Sequence, residues 1–126
     1  MKFIQYFVLM CLLSATLNLQ PSLAQNKNYL LINLTSYTTP ESRKAIDYAK
    51  AEVTRGRPVV IFLQDKSVLA ASKTYASQFK EQQQNLNELM RKGAMVLICP
   101  HCMKLYGVTE SDLLAGIQIA EESDQS

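Results

Sequence analysis

Cys99 and Cys102 stand two residues apart in "AMVLICPHCMKLYG", with Pro100 and His101 between them. Thiols at this spacing can form a redox disulfide, clip a metal ion, carry sulfur, or simply fill a core. An apolar run ends at Ile98, which puts Cys99 at the N-cap of a short helix and Pro100 at its first position. Cys102 then falls one turn inside. The sulfur of Cys99 would face unpaired backbone N–H groups and the positive end of the helix dipole. Both favour thiolate over thiol, so Cys99 is the expected nucleophile. A protonated His101 would add positive charge nearby. Cys102 is placed to attack whatever becomes attached to Cys99.

Other chemistries fit less well. Cys99, His101, Cys102 and Met103 are soft or borderline ligands, but no second cysteine or histidine cluster completes a tetrahedral site. No metal and no cofactor is therefore expected, with a copper(I) clip as the residual metal reading. His101 is the only histidine, and its plain role is an exposed helix-start residue. Covalent haem is disfavoured because Met103, not histidine, follows Cys102. Met103, Leu105 and Tyr106 read as packing. Nothing resembles a phosphate loop, a serine triad or a carboxylate dyad. The bland alternative is a passive disulfide or apolar filler, although bridging residues three apart closes a loop too small to constrain much of the unfolded chain.

The elements that must position these thiols alternate. "NYLLINLTS", "PVVIFLQ" and "AMVLI" are short apolar runs expected as strands covered on both faces, and "GIQIA" is a brief fourth. Between the first two, Thr39 can cap a helix opened by Pro40, with Ile46, Ala49 and Val53 on one face and Gly56 at its end. Leu69, Tyr75 and Phe79 give a weak apolar face, which the polar "KEQQQN" breaks before Leu86, Leu89 and Met90 resume it. That pattern predicts a loop with a short helix, then a second helix, with the glutamines as a solvated face. Strands alternating with helices imply βαβ units and a mostly parallel sheet of about four to five strands. Ligands gather beyond the carboxyl ends of such strands. Residues 36–39, 64–66 and 99–102 should meet there.

The first residues, "MKFIQYFVLMCLLSATLNLQPSLAQ", carry Lys2, a largely apolar stretch over residues 3–17, and Ser22 and Ala24 before a plausible cut ahead of Gln25. This is the pattern of a cleaved secretory signal over residues 1–24, leaving a domain over 25–126 and a periplasmic or secreted protein. Cys11 lies in the leader without a lipobox after it. The net charge of +2 falls by one when Lys2 leaves, so no basic field for nucleic acid or anionic lipid is expected. "EESDQS" reads as a frayed tail.

Four stretches together resemble the DsrE/DsrF-like family: "NYLLINLTS", "AIDYAKAEVTRGRPVVIFLQDKSVLAAS", "LNELMRKGAMVLICPHCMKLYGV" and "ESDLLAGIQIA". They stand in family order, and the third is the most specific: helix, glycine, apolar strand, cysteine, short helix, glycine. The resemblance implies a three-layer α/β/α fold and assembly into homo-oligomers. It also implies that a cysteine at the position of Cys99 carries sulfur as a persulfide and hands it to a partner thiol. Cys102 belongs to a C-x-x-C version seen in some members. Many members continue beyond the stretch matching "GIQIA" through another helix and strand, and the best understood relays are cytoplasmic rather than exported.

The leading expectation is an exported thiol protein, possible sulfur transferase or carrier, using Cys99 with Cys102 as resolving thiol. Small sulfur species or an acceptor protein thiol are its expected partners, with neither nucleic acid nor, after leader removal, membrane. The alternative is a non-catalytic oligomeric binding module. Ser36, Tyr37, Gln64, Asp65 and Lys66 would then form its rim, with a structural Cys99–Cys102 disulfide. A thiol-disulfide oxidoreductase is a third reading, since C-P-H-C also occurs in exported thioredoxin-superfamily oxidases. In those the motif closely follows the first strand and faces a later proline-bearing loop, whereas here Pro100 is the last proline.

Overall fold

The computed structural model describes residues 28–121. The leader expected over 1–24 and residues 122–126 of the tail lie outside the described residues. Four strands form one sheet in the order β1-β2-β3-β4: β1 (Leu30–Leu34), β2 (Val59–Leu63), β3 (Met95–Ile98) and β4 (Gln118–Ile119). All neighbours are parallel. Their register aligns Leu34, Leu63, Ile98 and Ile119 in one row across the carboxyl ends of the strands. The chain leaves the sheet just past that row. The α/β class and the parallel four-stranded sheet are those expected from the alternating runs.

Helix α1 (Pro40–Thr54) begins where its capping residues require. The Thr39 hydroxyl accepts from the Ser42 N–H at 3.1 Å, and Pro40 occupies the first turn, where a missing N–H costs nothing. Arg55 caps the other end and Gly56 follows with φ +85°, a left-handed conformation that glycine adopts without strain. Ile46 and Ala49 are buried against the sheet, with Val53 packed beside them.

After β2 come two 3₁₀ turns, Asp65–Ala71 and Lys73–Tyr75, and then helix α2 (Lys80–Arg91). The glutamine run departs from expectation. It opens α2, the expected second helix, but Gln83 is buried instead of solvated. Its side-chain amide donates to the Ser72 carbonyl at 2.7 Å, which compensates a buried polar group. Leu86 and Leu89, on the same face, are fully buried. Helix α3 (Pro100–Tyr106) follows β3 directly.

The core lies between the helices and one face of the sheet. Ile32, Leu34, Val59, Ile61, Leu63, Val96 and Ile98 belong to it, all of one strand parity. Burying each such side chain contributes about 1.5–3 kcal/mol. The residues of opposite parity do not pack against helices. Leu31, Val60, Phe62, Met95 and Leu97 line an open apolar depression of about 460 Å³, and Leu31 is 49% exposed. Strands expected to be covered on both faces are thus covered on one among the described residues, and the third layer of a three-layer α/β/α arrangement does not form within them. Sequential strand order accounts for this: successive crossovers of the usual right hand all return over the same face.

Candidate functional site

Strand β3 delivers Cys99 to the sheet rim. The Cys99 N–H donates to the Leu63 carbonyl at 3.0 Å, so the residue continues the ladder by one step before the chain turns. With φ −71° and ψ 118° it is still extended, and it is the N-cap of α3. Its Sγ accepts from the Cys102 N–H at 3.3 Å, while its carbonyl accepts from the Met103 N–H at 3.0 Å. Pro100 starts the helix, and Gly107 ends it with φ +70°. The short α3 is therefore capped at both ends by residues legible in the sequence. Its lone buried anchor is Met103, which enters the core as a packing residue.

Both cysteines are free thiols and both are half-buried. They differ in surroundings. Burial is the main reason the Cys102 thiol is pushed above its ordinary value; its hydrogen bond with Cys99 adds to this, and a backbone hydrogen bond from Asp65 partly opposes it. Cys102 is thus held in its neutral form next to a Cys99 sulfur that receives a backbone N–H. The two sulfurs therefore sit in different surroundings one helical turn apart. His101 is exposed at the first turn.

Asp65 is the third member of the site. It follows β2 by two residues and has φ +51°, the one described non-glycine residue in the left-handed region. Aspartate tolerates that conformation better than most residues. Holding it there brings the Asp65 backbone to Cys102 and its carboxylate to Tyr106, whose hydroxyl donates to Asp65 Oδ1. That hydrogen bond is the first cause of the raised Tyr106 pKa, ahead of desolvation. Tyr106 was expected to be packing alone. The sequence did carry a signal: Tyr106 lies four residues after Cys102, hence on the same helix face.

The other rim residues divide. Ser36, Tyr37 and Lys66 line one cavity together with Thr38 and Gln78. Gln64 instead offers its carbonyl to the Ser67 hydroxyl at 2.6 Å. Asp65 turns to the thiols. Of the five residues expected to form a binding rim, three meet and two serve other contacts. Among the described residues no group of three or more histidine, cysteine, aspartate or glutamate side chains is placed to hold a metal ion.

With this geometry in view, the sequence pattern of the DsrE/DsrF-like family matches residues 27–126. Two solved structures share the fold. One is MTH1491, a protein of unknown function from Methanobacterium thermoautotrophicum, with TM-score 0.56 and 13% identity, covering 75% of this chain and 80% of that one. The other is the ychN protein from E. coli, with TM-score 0.54 and 22% identity, covering 73% and 81%. No curated protein matches the chain.

Proposed function

The chain belongs to the DsrE/DsrF-like family, whose fold is of the sulfur-relay type, and from that premise we propose that it carries sulfur as a persulfide on Cys99. The observation that supports this most directly is the N–H···S hydrogen bond from Cys102 to Cys99 at the strand-to-helix turn. A backbone N–H aimed at the sulfur fixes the position of the attacking atom at that turn.

The Cys99 thiolate attacks a sulfane sulfur of a polysulfide. A sulfur–sulfur bond of the donor breaks, and its electron pair leaves on the shortened polysulfide. An acceptor thiolate then takes the outer sulfur and regenerates Cys99. In the competing branch, Cys102 loses its proton and attacks the inner sulfur, closing a Cys99–Cys102 disulfide and expelling hydrosulfide. An external dithiol must reduce that disulfide before another cycle. The neutral state of Cys102 keeps this branch slow and lets the persulfide persist until an acceptor arrives.

The reading includes export, supported by the leader pattern of residues 1–24. It also includes self-association through the open sheet face. Leu31, Val60, Phe62, Met95 and Leu97 carry no charge, so a second copy offers an equally apolar and uncharged surface without repulsion.

Intact mass after incubation with polysulfide tests the central step. Wild type should gain one sulfur, Cys99→Ser should gain none, and Cys102→Ser should retain the adduct longer than wild type. A wild-type mass that stays unmodified overturns the reading.

A further inference from the structure

Tyr37 lies just beyond β1 and is 5% exposed, and its hydroxyl has no hydrogen-bond partner. A buried hydroxyl left in this way is unfavourable, so the groups around it matter. Burial keeps the phenol neutral by raising its pKa above the ordinary tyrosine value. It is therefore a donor with nothing to donate to.

The ring borders two cavities of opposite character. One, of about 110 Å³, sets the carboxylates of Asp47 and Glu81 against the single cation Arg43. That excess of negative charge disfavours an anion. The other, of about 250 Å³, contains Lys66, the hydroxyls of Ser36 and Thr38, and the amide of Gln78, with no carboxylate. Leu69 and Phe79 supply its apolar wall. Ser36 and Thr38 share a hydroxyl contact at 3.4 Å, and the Ser36 Oγ accepts from the Thr38 N–H at 3.4 Å; both are long, which leaves the hydroxyl protons able to turn toward a ligand. Lys66 forms no salt bridge among the described residues. The volume equals that of about eight waters at roughly 30 Å³ each, ample for a tetrahedral anion with some of its hydration.

We propose that this cavity, at the carboxyl ends of β1 and β2 and bounded by Ser36, Tyr37, Thr38, Lys66 and Gln78, binds a small inorganic oxyanion. Lys66 supplies the charge, and the hydroxyls and the amide supply directed donors. The position is the one where open parallel sheets take ligands. Lys66 directly follows Asp65, so the anion sits one residue along the chain from the thiol site. Binding does not require sulfur chemistry at Cys99, and the two ideas fail separately.

Titration of ¹⁵N-labelled protein with sodium sulfate, and in parallel with sodium phosphate, tests this at ionic strength held constant with sodium chloride. Saturable shifts are expected at the amides of residues 36–38, 66 and 78 with at least one of the two anions. Lys66→Ala should weaken binding at least tenfold and Tyr37→Phe severalfold, while Lys44→Ala, on the exposed side of α1, leaves it unchanged. The same titration in Cys99→Ser should match wild type. Tyr37→Phe also separates an orphan from a ligand: under this proposal the anion raises the melting temperature of wild type more than that of the variant. Failure of both anions to saturate, shifts spread over surface lysines, or equal affinity in Lys66→Ala overturns it.

Discussion

The Tyr106 hydroxyl donates to the Asp65 carboxylate across 41 residues of sequence, tying the end of α3 to the turn that follows β2. The same Asp65 meets Cys102 through its backbone, so one strained residue links the helix of the thiols to the neighbouring strand. Residues held in sparsely populated conformations persist where surrounding structure determines them, and they concentrate at functional sites.

Substitution at Asp65 should separate strain from hydrogen bonding. Asp65→Ala keeps the left-handed backbone, at a cost of about 1–2 kcal/mol for a side chain ill suited to it, and also loses the acceptor for Tyr106. Asp65→Gly loses the acceptor but relieves the backbone. Urea unfolding should therefore rank glycine above alanine in stability, with Tyr106→Phe close to wild type because its partner is exposed. Equal midpoints for the two Asp65 variants would contradict the strain assignment.

The raised Cys102 thiol sets a pH dependence. Attack on the inner sulfur of a Cys99 persulfide needs the Cys102 thiolate. Burial and the contact with Cys99 favour the neutral thiol, so at neutral pH the reactive fraction is smaller than for a free cysteine. Hydrosulfide release from preloaded protein should accelerate as pH rises through and beyond the usual thiol value of about 8.5, by close to tenfold per unit below the shifted value. Release measured with a sulfide probe should disappear in Cys102→Ser. A rate independent of pH, or one that survives the substitution, would remove Cys102 from the resolving role.

Leu31, 49% exposed on the open sheet face, reports on self-association. Leu31→Glu places a charge where two copies would meet, while the helix-facing core of β1, Ile32 and Leu34, is untouched. Sedimentation velocity over the micromolar range should show wild type associating and the variant shifted toward monomer, with melting temperature little changed. A wild type that remains monomeric throughout would leave the face without the proposed occupant.

Much of this protein was legible residue by residue. Thr39 and Pro40 mark the start of α1, Gly56 its end, and Cys99, Pro100 and Gly107 bracket α3, because caps and prolines act through the few backbone groups beside them. Alternating apolar runs were enough for the parallel α/β class. Gln83 was not legible, since a glutamine within a polar run is solvated unless a carbonyl such as that of Ser72 happens to lie opposite.

The chain alone determined that two thiols sit where a strand becomes a helix; this follows from local capping and from periodicity. The tertiary structure decided the company those thiols keep. Asp65 could have joined the rim with Lys66, yet a positive φ turns its backbone to Cys102 and its carboxylate to Tyr106. Likewise an apolar strand does not reveal whether one face or both are covered, because coverage depends on the side over which each crossover returns. Contacts between residues tens of positions apart arise from the packing of whole elements, and no local pattern in the sequence encodes them.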